Sequence, residues 1–140
     1  MIAQILTHVE QTVFGPGETV GGEVRWSLDQ VPKSAKLQLF YYIEGIGTRD
    51  VELHAKEKFA TPLAQNARPF PFQLPKAPWS FSGKLVSVRW ALELIIDASP
   101  KADVVRLDLV VSPTGEEIDI LVNDSPPGLE HKKPWLRSNR

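Results

Sequence analysis

The chain has no cysteine. That removes disulfide staples, thiolate nucleophiles and cysteine-ligated zinc together, and it fits a reducing compartment. It has no block of like charge: 16 Lys and Arg stand against 17 Asp and Glu, for a net charge of -1. Without a basic patch the electrostatic footprint of a phosphate-backbone binder is missing, so nucleic acid is not an expected partner. No apolar run approaches the roughly 20 residues of a membrane helix. The opening stretch MIAQILTHVEQTVFGPGE lacks the basic flank and apolar core of a signal peptide. The expectation is a soluble, cytoplasmic domain with no membrane insertion.

Helical periodicity is scarce as well. What replaces it is alternation. From Val86 to Asp97 the apolar residues Val86, Val88, Trp90, Leu92, Leu94 and Ile96 fall on one side, with Ser87, Arg89, Ala91, Glu93 and Asp97 largely on the other. A period of two over that length is a half-buried β-strand, since a helix needs spacings of three and four. Similar patterns predict strands at Ile2–Val9, at Val20–Leu28 and on a Leu37, Leu39, Tyr41, Ile43 face. Others follow at Val51, Leu53, Ala55 and Phe59, at Phe70–Leu74, at Val105–Val111 and at Ile118–Val122. Gly21-Gly22 interrupts the second of these, where glycine marks a bulge or a close backbone approach. Prolines 69, 71 and 75 bound the Phe70–Leu74 piece, which predicts an edge strand. Twelve prolines and nine glycines supply the turns.

About eight strands at regular spacing predict an all-β chain: a two-sheet antiparallel, immunoglobulin-like sandwich over residues 1–122. From Asn123 the chain is rich in proline and charge and loses periodicity, so 123–140 reads as a tail. A chain of 140 residues buries roughly two-thirds of its unfolded surface and needs no staples.

The chemistry-bearing residue types form no site in the sequence. His8, His54 and His131 are scattered without metal-ligand spacing. The acids from Glu116 to Asp124 are interrupted by Ile118, Ile120 and Val122, unlike a calcium loop. Gly15-x-Gly17 and Gly45-x-Gly47 have no following helix to hold a phosphate. No catalytic residue, metal or cofactor is expected.

The aromatics carry the candidate sites. Phe40 and Tyr42 fall opposite Leu39 and Tyr41, so they face outward, and either form an interface patch or are covered by a loop or the tail. Trp79 and Phe81 lie in a proline-bounded loop, where they plug the end of the sandwich or reach a partner. Trp135 and Leu136 sit in the tail, and a tryptophan is costly to leave exposed there. The pair predicts a tail that docks on its own domain or on a second copy, by adding to a sheet edge.

Three segments in order resemble the arrestin fold family, in particular its N-terminal sandwich domain. They are Phe14-Gly15-Pro16-Gly17-Glu18-Thr19-Val20 with Gly22 and Val24, then Phe72-Gln73-Leu74-Pro75, then Pro78, Ser80, Gly83 and the Val88–Ile96 strand. The resemblance spans about residues 1–122. The family includes receptor-binding arrestins, trafficking adaptors such as the retromer subunit, and bacterial sporulation-control proteins. It implies a non-enzymatic interaction or scaffold module that binds a protein partner through exposed strand edges and outward aromatics. Relatives usually carry two sandwiches; this chain has room for one, so a homodimer is one arrangement that restores the second. Phosphate sensing is not implied, because Ile2–Glu10 has no lysine. The alternative function is a small-ligand or carbohydrate-binding sandwich, with Phe40 and Tyr42 stacking on sugar rings.

Overall fold

A computed structural model describes residues 2–98, 100–114 and 118–120. Ten strands run in order: β1 (Ile2–Thr7), β2 (Val13–Phe14), β3 (Thr19–Ser27), β4 (Ser34–Gly45), β5 (Thr48–Lys58), β6 (Gln65–Gln73), β7 (Phe81–Gly83), β8 (Ser87–Asp97), β9 (Ala102–Val111) and β10 (Ile118–Ile120). No α-helix occurs among the described residues, and none of them forms a helix long and apolar enough to cross a membrane. The expected strands are all present. The two additional ones, β2 and β7, are only two and three residues long, too short to show alternation.

The strands form two sheets. The small one has the order β1-β3-β6. In the large one, β8 is central: β4 lies antiparallel along its full length on one side, while β7 and then β9 share the other, and β5 pairs beyond β4. Two short pairings depart from the expected antiparallel scheme. β2 runs parallel to β9, and β10 parallel to β7. β2 gets there because a 3-10 turn, His8–Glu10, carries the chain from one sheet to the other. Hydrogen bonds from Val110 N to Thr12 O (2.8 Å) and from Ser112 N to Phe14 O (2.9 Å) stitch it in place.

The core lies between the sheets. Ile5, Val20, Val24, Trp26, Phe70 and Phe72 face inward from the small sheet, meeting Leu37, Leu39, Trp90, Leu92, Leu94, Ile96, Leu109 and Val111 from the large one. The inner face of β8 is fully buried at each of Val88, Trp90, Leu92, Leu94 and Ile96, as its alternation requires. Trp90 donates through Nε1 to Pro78 O at 3.0 Å, which satisfies its only polar atom in a dry site. Gly21-Gly22 proves to be a close approach rather than a bulge: the β1–β3 register runs unbroken, and a Cβ on Gly22 would lie 2.0 Å from Leu6 O.

β6 is longer than the sequence suggests. It begins at Gln65, five residues ahead of the predicted Phe70–Leu74 piece. Pro69 and Pro71 pair opposite Glu23 and Gly21. Prolines two residues apart point their nitrogens the same way, and a strand keeps them only on the side away from its ladder. They sit on the free edge of the small sheet, as an edge strand demands.

Candidate functional site

One flank of the sandwich is closed by β1, β2 and β9; on the other, among the described residues, β5 and β6 are the free edges of their sheets. Of the two edges, β6 lacks donors at Pro69 and Pro71. β5 has no proline, runs eleven residues, and is exposed throughout except at Ala55. Lys56 and Lys58 mark it as an edge, since charge there discourages unwanted pairing.

The sequence pattern misassigns the faces of β5. Val51, Leu53 and Ala55 alternate as though all three were core. In the structure the register slips between Leu39 and Phe40: Leu39 pairs with Ala55, Phe40 with Leu53, and His54 is the extra residue. A bulge of this kind reverses the alternation beyond it. Ala55 packs on the core, while Val51 and Leu53 turn to the outer face, 58% and 49% exposed.

That outer face carries Phe40 and Tyr42, facing outward as expected from β4. They are nevertheless 6% and 7% exposed, packed with Ala91 in a second small cluster. Among the described residues their cover is arginine. The Arg49 guanidinium lies 4.3 Å from the Tyr42 ring centre, and that of Arg106 lies 4.8 Å from Tyr42 and 5.6 Å from Phe40. Such cation–π contacts are worth about 0.5–1 kcal/mol each at exposed sites. Burial works against the Arg106 charge, but the Asp108 carboxylate, which accepts a hydrogen bond from Arg106 Nε at 2.9 Å, and the Tyr42 hydroxyl hold its pKa above the ordinary value. The open surface is therefore a shallow groove of about 220 Å³ whose rim is Arg49, Val51, Leu53 and Arg106, with Gln38, Phe40 and Glu93 at its base. The expectation that Phe40 and Tyr42 themselves present the surface is corrected: both are buried beneath the arginines, and Phe40 alone of the two lies at the base of the groove.

On the inner side of the same strand, His54 reaches across the open flank. Its Nε2 lies 3.1 Å from Gln73 O, and its ring stands edge-on to Trp90 at 5.8 Å. Beside it a solvent-open hollow of about 410 Å³ is lined by Gly17, His54, Gln73, Leu74, Pro75 and Lys76. Tyr41, stacked on Trp90 at 4.8 Å, has its pKa raised by burial and then by the Glu52 carboxylate.

The remaining sequence candidates fall elsewhere. Phe81 is fully buried and plugs the end of the sandwich, so it offers no contact surface. Trp79 is half-buried and donates from Nε1 to Lys76 O at 2.8 Å. Between them, Ser80 Oγ accepts from Val111 N at 2.9 Å while Ser80 N donates to Val111 O at 2.7 Å, which locks this loop to β9. Trp135 and Leu136, with the tail around them, lie outside the described residues. A second hollow, of about 350 Å³, opens on the outer face of the small sheet among Ile2, Gln4, Arg25, Ser27, Gln65 and Ala67. Among the described residues no three His, Asp or Glu side chains meet as a metal site.

No protein-family model matches the chain, and no curated protein matches it significantly. Among solved structures, Spo0M, a sporulation control protein from Bacillus subtilis, is similar. Its TM-score is 0.58 at 22% identity, over 79% of this chain and 49% of that one. At that identity the likeness establishes the fold alone, and the present chain spans about half the length of Spo0M. The arrestin-like sandwich implied by the Phe14–Val24, Phe72–Pro75 and Val88–Ile96 segments is the fold observed.

Proposed function

We propose that the chain is a non-enzymatic protein-interaction module that engages a protein partner along β5, by strand addition to its free edge and by contact with the outer face beside it. The observation that carries this reading is the state of β5: a long, exposed edge strand with no proline, continuous with an apolar and cationic groove on the same sheet. Unpaired N–H and C=O groups supply affinity in strand addition, and alternate side chains supply specificity. The arrestin-like fold, shared with a sporulation control protein, agrees with a regulatory rather than catalytic role. The carbohydrate reading loses its platform, because guanidinium groups occupy the ring faces on which a sugar would stack.

Site-specific photo-crosslinking in cells of the source organism tests the proposal. A benzophenone side chain replacing Leu53 should yield a discrete protein adduct, and one replacing Pro69, on the opposite sheet's edge, should not. Equal yields from both positions, or none from Leu53, would refute it.

A further inference from the structure

Between the β4–β5 turn and the bulge, the two faces of β5 carry different chemistry. Arg49, Val51 and Leu53 share the outer face with their partners Glu44, Tyr42 and Phe40. Asp50 and Glu52 point the other way, opposite Ile43 and Tyr41. The influence of Glu52 on the Tyr41 hydroxyl agrees with that placement. All five residues are exposed, and neither carboxylate has an ion-pair partner among the described residues.

A second copy of the chain is a poor occupant for this edge. A two-fold antiparallel pairing of the stretch with itself, centred on Asp50, Val51 or Glu52, sets acid directly against acid, which is destabilising. Carried past His54, the pairing opposes residues of different faces, because the bulge has reversed the alternation. Charge complementarity points to a different chain. We propose that β5 receives an extended peptide segment of the pattern basic–apolar–basic, its cations opposite Asp50 and Glu52 and its apolar residue opposite Val51, packed on Val51 and Leu53. The proposal rests on the reading of β5 as the docking edge. The pattern is the same in both chain directions, so parallel and antiparallel addition satisfy it equally. Opposite-charge cross-strand pairs fix the register, and the bulge at His54 ends it.

The test uses the full chain, isotope-labelled, with the capped peptide Thr-Lys-Val-Lys-Thr and its counterpart Thr-Glu-Val-Glu-Thr. The lysine peptide should bind saturably, slow amide exchange within residues 49–53, and weaken as salt is added. The double substitution Asp50→Lys with Glu52→Lys should lower its affinity about tenfold, from two reversed cross-strand pairs, and should gain the glutamate peptide. The isosteric pair Asp50→Asn with Glu52→Gln should lose the first peptide without gaining the second, and circular dichroism checks that both variants are folded. Absence of saturable binding, equal binding of both peptides, or protection mapped outside 49–53 overturns the proposal. If the glutamate peptide alone protects 49–53, β5 remains the docking edge and the partner chemistry fails. If those amides are protected without peptide and the solution mass doubles, the occupant is a second copy and the proposal fails. If no peptide protects them and Leu53 yields no photo-adduct, the docking edge itself is lost.

Discussion

Gly21 and Gly22 are neighbours with opposite tolerance for a side chain. A Cβ on Gly22 meets backbone, Leu6 O at 2.0 Å, and backbone of a paired strand cannot step aside without breaking its ladder. A Cβ on Gly21 meets the His8 ring at 3.1 Å, and that side chain sits on an exposed turn and can rotate. Gly22→Ala is therefore expected to destabilise by about 1–3 kcal/mol or more, as overpacking does, and Gly21→Ala by well under half as much. Urea unfolding of the two variants measures the difference, and comparable losses would contradict the close approach. Tyr41 gives a pH dependence. Its pKa is raised in the folded state, by burial first and Glu52 second. The folded chain thus keeps a proton that the unfolded chain releases near its ordinary pKa of about 10. The stabilisation is complete below that value and is lost as pH rises above it. Tyr41→Phe should flatten the fall in unfolding free energy between neutral and strongly alkaline pH, and an unchanged slope would assign that fall to other groups.

At the scale of the element, β8 and β5 are the extremes of one sheet. β8 is paired on both sides and its inner face is wholly buried. β5 is paired on one side only and exposed almost everywhere. Local opening follows such differences. Amides from Trp90 to Ile96 should exchange only with global unfolding, and those of β5 orders of magnitude faster by hydrogen-exchange mass spectrometry. Matching protection would mean that something covers β5 in solution. The same two strands show what a sequence can reveal. In β8 every second residue is large and apolar, one side is buried, and the pattern maps directly to the structure. In β5 the apolar residues also recur at every second position, but the single extra residue at His54 leaves no trace in the pattern, because a bulge changes direction without changing composition. Lys56 and Lys58 agree with its place at an edge, but the alternation itself shows neither that place nor the facing of Val51 and Leu53.

For the molecule as a whole, the alternation and the turn residues were enough to indicate a sandwich, and the Pro16-Gly17-Glu18 and Leu74-Pro75 segments indicated which kind. The proposed interaction surface was half legible. Phe40 and Tyr42 were placed on the correct face, since parity within β4 decides that. Their burial was not legible, because it depends on Arg49 and Arg106, which come from two other strands and meet over the rings only once the sheet is assembled. The short strands β2 and β7 escaped for a related reason: they exist through their partners β9 and β8, and two or three residues carry no periodicity of their own.

The bulge at His54 also bears on how such a chain changes over time. Losing this one codon would remove the extra residue and leave every other pair as it stands, with Leu53 still opposite Phe40 and Val51 still opposite Tyr42. The sandwich would stand on the same β8 and the same inner face of β4, and its edge would lose only the imidazole that reaches across to Gln73 O and the Trp90 ring. Drift at this codon is therefore quiet: an in-frame deletion can come and go in lineages carrying this fold without reversing the two faces of the edge.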